Sequence, residues 1–182
     1  TTYGEMLAFI SEGGGGDLRQ IGVKPGDVVV YSISGGSALG AAAFITITAQ
    51  TIAAPLDPNV TEVDASGALE QFGAKHVLLF DGIESPGLEA AAKSTAGVAI
   101  HRATPLGPDA PGLFKLTAAA DGGSINEVPP LVSSERDVGL LLRTSGTTSK
   151  PKGVPIRQGQ LGRNGLLLSG TIETFEDDCC LN

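Results

Sequence analysis

Between Val28 and Leu56 the chain carries no charged side chain, and this stretch restricts the available folds more than any other. A membrane-spanning helix needs about 20 consecutive apolar residues. Here the stretch is broken by Ser34-Gly35-Gly36-Ser37, carries Thr46, Thr48, Gln50 and Thr51, and meets Pro55. It therefore reads as buried strand, helix, buried strand, with no membrane span. Asp27 to Ile33 (DVVVYSI) is a continuous, largely β-branched run, as in a strand covered on both faces. Ser37 is placed to cap a helix running through Gln50, because its hydroxyl can accept from an unpaired amide of the first turn. Thr51 to Leu56 is the next strand.

The same alternation continues downstream. Val63 to Phe72 puts Ala65, Ala68, Leu69 and Phe72 on one helical face, and Gly73 suits the turn that ends it. His76 to Phe80 reads as strand and Asp81-Gly82 as turn, after which Ser85-Pro86 starts a helix reaching about Lys93. Val98 to His101 is a further short strand, with His101-Arg102 expected at its solvated end. Strands alternating with helices imply βαβ units. The expected fold is thus α/β, a mostly parallel sheet with flanking helices.

Ala103 to Val132 changes character: Pro105, Pro108, Pro111, Pro129, Pro130 and Gly122-Gly123 mark a surface connection, with one short strand at Leu113 to Leu116. Asp137 to Leu142 resumes the buried-strand pattern, and Pro155 to about Glu173 reads as helix. The glycine run Gly13 to Gly16 is expected to be a flexible loop that shortens the first helix. At 182 residues the chain is expected to form one domain, residues 1–182.

Composition narrows the partners. A formal net charge of -8, 4% aromatics and no Trp leave neither a basic stripe for a phosphate backbone nor a platform for stacked bases, so no nucleic-acid partner is expected. The two cysteines, Cys179 and Cys180, are adjacent, without the spacing of a disulfide framework or a zinc site. His76, at a strand start, is expected to be structural. Asp177 and Asp178 have no spaced carboxylate partners, so no metal-ligating set is assigned.

The chemistry-bearing segment is Asp137 to Gly153, DVGLLLRTSGTTSKPKG. An apolar strand ends and a loop of hydroxyls, glycine and lysines follows, at the strand end where ligands of α/β sheets bind. Thr144, Ser145, Thr147, Thr148 and Ser149 supply hydroxyls, Gly146 lets backbone amides approach an anion, and Lys150 and Lys152 add positive charge. The order differs from a Walker loop, in which the lysine follows the second glycine and opens directly into a helix. On chemistry alone, polyphosphate binding and a polar surface turn both remain open.

TSGTTSKPKG, from Thr144 to Gly153, resembles the phosphate-binding signature TSGTTGxPKG of the adenylate-forming (AMP-binding) superfamily: acyl-CoA synthetases, nonribosomal-peptide adenylation domains and beetle luciferases. GVKPGDVVV at Gly22 to Val30 and AAPLDP at Ala53 to Pro58 are similar to early elements of that family, in the same order. Ser149 departs from the family's usual glycine and is similar to the oxalate–CoA ligase and peroxisomal coenzyme-A-synthetase branch.

The resemblance implies the N-terminal part of the family's large domain. It also implies ATP with Mg²⁺, a small-molecule carboxylic acid and coenzyme A as reactants. By position, Thr144, Ser145, Gly146, Thr147, Thr148 and Lys152 would contact the ATP phosphates, with Lys152 on the β- and γ-phosphates; Lys150 sits at a variable position. The family's catalytic and magnesium-binding residues belong to later sequence, so no catalytic residue is assigned, and the C-terminal part of the same enzyme is the expected missing partner. Two further functions stay open: a module that loads a carrier-protein thiol, and a non-catalytic partial paralogue acting as a binding domain. The chain starts at Thr1 and ends at Asn182, and is expected to be a fragment at both ends, with cytoplasmic and peroxisomal locations both open.

Overall fold

In the computed structural model, which describes residues 1–11, 13–33, 37–117, 134–144 and 151–171, the uncharged stretch forms the strand, helix and strand expected of it. β1 (Val28–Ser32) is buried at every residue. α2 (Ala38–Gln50) starts where the Ser37 hydroxyl accepts from the Gly40 amide at 3.0 Å. β2 (Ile52–Leu56) follows and pairs with β1 in parallel. Then come α3 (Glu62–Phe72), β3 (His76–Phe80), α4 (Pro86–Ser94), β4 (Ala99–Pro105), β5 (Phe114–Thr117), β6 (Val138–Arg143), β7 (Gly153–Arg157) and α5 (Gln158–Thr171), with α1 (Tyr3–Ile10) preceding them all.

The strands form one seven-stranded sheet in the order β5-β4-β3-β1-β2-β6-β7. β4, β3, β1, β2 and β6 run parallel to their neighbours among themselves, while β5 and β7 are antiparallel edges. α1 and α2 cover one face, packing Phe9, Ala43 and Ile47 onto Val29, Tyr31, Leu78 and Phe80. α3 and α4 cover the other, packing Ala65, Ala68, Leu69, Leu88 and Ala91 onto Val28, Val30, Val77 and Leu79. Two-sided cover is why the central strands are apolar at consecutive residues. Among the described residues, no helix is long and apolar enough to cross a membrane.

Three expectations are corrected. Gly153–Arg157 is a strand, and the helix begins only at Gln158. β6 would otherwise leave its ladder groups open, and the segment folds back to satisfy them; Pro155 is tolerated because β7 is an edge. The glycine run is packed: a Cβ on Gly16 would lie 2.5 Å from the Phe9 ring, and one on Gly14 would lie 2.3 Å from the Ala8 carbonyl oxygen. Gly14 to Gly16 are glycine because the chain crosses directly over Ala8 and Phe9, and Gly13 takes a positive φ of 75°. His101 is buried, because its ring turns inward and stacks on His76 of the neighbouring β3; Arg102 alone is exposed there.

Candidate functional site

β6 is parallel to β2, so its carboxyl end opens on the same sheet edge as those of β1, β2, β3 and β4. At that end Arg143 pairs with Gly153 of β7. One step beyond, the Thr144 amide donates to the Lys152 carbonyl at 3.0 Å, and the Lys152 amide donates to Thr144 Oγ1 at 3.2 Å. The chain therefore leaves at Thr144 and returns at Lys152 through a closed mouth, with both residues exposed at the carboxyl edge. The Thr144 hydroxyl serves as the clasp, since its acceptor lone pair is held by the returning strand. The Lys152 side chain is exposed. Ser145, Gly146, Thr147 and Thr148, with Ser149 and Lys150, lie outside the described residues, as do Asp177, Asp178, Cys179 and Cys180.

Sequence reasoning missed the residue that precedes the clasp. Arg143 continues the alternation of β6, in which Leu140 faces the α1–α2 side and Leu141 the α3–α4 side. Its side chain is only 16% exposed, and Nη1 donates to the Asp64 carbonyl of α3 at 2.5 Å. Nothing in the local sequence pairs positions 64 and 143; an arginine at the end of an apolar strand was the one available signal.

The opposite, amino edge of the sheet holds a second polar group. Asp27, just before β1, is 7% exposed. Lys75 Nζ donates to its Oδ1 at 2.8 Å, the Lys24 amide to its Oδ2 at 2.9 Å, and His76 Nε2 lies 3.3 Å from Oδ2. His76 Nδ1 lies 3.0 Å from His101 Nε2, and the two rings stack at 5.2 Å. A carboxylate only accepts, so the consistent tautomers run one way: His101 Nε2–H to His76 Nδ1, and His76 Nε2–H to Asp27.

Burial pushes Asp27 upward, but the hydrogen bonds from Lys75, the Lys24 amide and His76 outweigh it and hold the carboxyl below its ordinary value. Burial lowers His76, against the pull of Asp27. Burial, with the charge His76 would carry, brings His101 down to about 4. Both imidazoles are thus neutral at pH 7. The chain of rings sits at the sheet edge opposite the loop.

Comparison with known proteins now bears on the loop's setting. A family model described as AMP-binding enzyme matches residues 1–181. The chain belongs to that family. It is 28% identical over 177 residues to an oxalate–CoA ligase of Arabidopsis thaliana, covering 97% of this chain and 34% of that protein. A probable CoA ligase, CCL9, of Humulus lupulus is 29% identical over 162 residues, covering 88% of this chain and 30% of that one. The solved structure of ATP-bound MatB from Rhodopseudomonas palustris superimposes with a TM-score of 0.69 at 25% identity, covering 97% of this chain and 33% of that one. The chain thus spans about a third of the length of the relatives it matches.

Among the described residues, no group of three or more His, Cys, Asp or Glu side chains is placed to hold a metal ion. A depression of about 580 Å³ beyond the carboxyl end of β3 is lined by Asp81, Glu84, Glu89 and Arg102. There Arg102 already pairs with Glu89 at 3.0 Å and Asp81 at 3.6 Å, which leaves it poorly suited to a further anion.

Proposed function

We propose that the loop between Thr144 and Lys152 holds the polyphosphate of ATP, within a longer enzyme that converts a carboxylic acid to an acyl-adenylate and then passes the acyl group to coenzyme A. The observation that carries this reading is the clasped mouth at the carboxyl edge of a parallel sheet. That is the edge where ligands of α/β sheets bind, and the sequence between the two clasped residues is rich in hydroxyl and amide donors. Lys152 adds a charge able to follow the β- and γ-phosphates. Thr144, Ser145, Gly146, Thr147 and Thr148 complete the proposed phosphate contacts, Thr144 chiefly through the shape it imposes. Attack of a carboxylate on the α-phosphate depends on alignment and on stabilising the departing pyrophosphate, which is what such a loop supplies.

Family membership and the ATP-bound neighbour support a nucleotide; the names of the two plant relatives support coenzyme A as acceptor, and oxalate as the first acid to test in the longer protein. The chain spans about a third of the length of its relatives, and in this reading it binds nucleotide by itself without forming adenylate. Titration calorimetry with Mg–ATP and ATP–pyrophosphate exchange test both halves. Binding that Lys152→Ala weakens, with no exchange, is the expected result. No binding at millimolar nucleotide defeats the phosphate reading, and robust exchange by the isolated chain defeats the second half.

A further inference from the structure

α3 touches both arms of the loop. On the outgoing arm, Arg143 reaches back to the Asp64 carbonyl, and a Cβ on Gly67 would stand 3.5 Å from its Nη2. On the returning arm, Gln71 Nε2 donates to the Pro151 carbonyl at 3.2 Å, across 80 positions of sequence. One residue further, Phe72 packs so closely under Gly153 that a Cβ there would come within 2.7 Å of its ring. A helix that only covered the sheet would need its apolar face, and α3 supplies that through Ala65, Ala68 and Leu69. Gln71 adds nothing to that cover. Gln71 is exposed and spends its amide on a carbonyl in the middle of the loop's return.

We infer that α3 sets the position of the two arms that carry the phosphate loop, Arg143–Thr144 and Pro151–Gly153, with Gln71 and Arg143 as positioning residues for polyphosphate binding. The inference rests on the reading of the loop as a phosphate site. Pro151 stands between the two lysines, so the carbonyl that Gln71 holds fixes the direction from which Lys152 leaves the backbone. The guanidinium of Arg143 fixes the other arm one residue before the clasp. Its planar fork suits a backbone carbonyl with a carboxylate beside it, here Asp64 Oδ1 at 3.8 Å, in a way a lysine does not reproduce. Phe72 allows only glycine at 153, which keeps the start of β7 pressed onto the helix.

The test is Mg–ATP calorimetry on the 182-residue chain, with thermal unfolding in parallel. Gln71→Ala removes one exposed hydrogen bond and leaves the core intact. It is expected to weaken ATP about three- to tenfold, the range for one lost hydrogen bond, with an unchanged melting temperature. Arg143→Lys is expected to weaken it at least as much. Combined with Thr144→Ala, Gln71→Ala should give less than the product of the single losses, because both act on the same returning arm. ATP affinity within twofold of wild type in Gln71→Ala, or strictly multiplicative losses in the double variant, overturns the inference while leaving the phosphate reading intact. Failure of the wild-type chain to bind ATP removes that reading, and the inference with it.

Discussion

Thr144 and Lys152 are joined twice, by the Thr144 amide on the Lys152 carbonyl at 3.0 Å and by the Lys152 amide on the Thr144 hydroxyl at 3.2 Å. The side-chain bond is the one a substitution can remove. Thr144→Val keeps the shape and deletes the acceptor, and is expected to weaken Mg–ATP about three- to tenfold, whereas Thr144→Ser keeps the acceptor and stays within about twofold. Lys152→Ala removes the charge proposed to meet the β- and γ-phosphates and is expected to cost about tenfold or more. Equal affinities for the valine and serine variants would show that the clasp does not shape the site.

The Asp27–His76–His101 chain makes stability depend on pH. Both imidazoles have folded values below the ordinary histidine value, so the unfolded chain takes up protons that the folded one refuses. Their stabilisation is therefore full above about pH 6.5 and is lost as pH falls, down to about pH 4 for His101. Asp27, lowered as well, adds a further loss only in stronger acid. Urea unfolding between pH 7.5 and 5 should show stability falling by at most about 1.4 kcal/mol per pH unit for each refused proton. His101→Gln retains a donor for His76 and should flatten that slope; an unchanged slope would mean that His101 titrates freely in the folded protein.

Gln50 ties the N-terminal loop to α2. Its Oε1 accepts from the Leu18 amide at 3.0 Å, and its Nε2 donates to the Gly16 and Thr46 carbonyls at 2.8 and 2.9 Å, all buried. Gln50→Leu would strand the Leu18 amide and the Gly16 carbonyl without water, and is expected to lower stability by about 2–4 kcal/mol in chemical denaturation. A loss under about 0.5 kcal/mol would indicate that the loop relaxes to solvent.

Gly16→Ala tests the packed glycine run directly. Its methyl would meet the Phe9 ring, itself held edge-on by Phe114 at 5.0 Å between centroids. Overpacking of this kind is expected to cost about 1–3 kcal/mol. Gly13→Ala is the weaker control for space, since a Cβ there meets nothing within 4 Å, although its φ of 75° still strains alanine. Equal melting temperatures for Gly16→Ala and wild type would restore the flexible-loop view.

The amino-acid order alone determined the strands covered on both faces, because a strand with no wet side must be apolar at every position and that requirement is visible residue by residue. It determined the Ser37 cap and the turn at Gly73 for the same local reason, and it marked Thr144 to Gly153 through an unusual density of donors. Tertiary structure decided what depends on partners far along the chain. β7 is a strand because β6 had an open edge to fill, and no period within Gly153–Arg157 announces this. His101 is buried because its ring meets His76, 25 positions earlier, and Gly14 and Gly16 are glycine because the Ala8 and Phe9 carbonyls and the Phe9 ring lie beneath. The hold of α3 on the loop joins Asp64 to Arg143 and Gln71 to Pro151, pairs separated by 79 and 80 positions. A hydrogen bond over that span leaves no periodic trace in sequence, since only the folded sheet brings its two ends within reach.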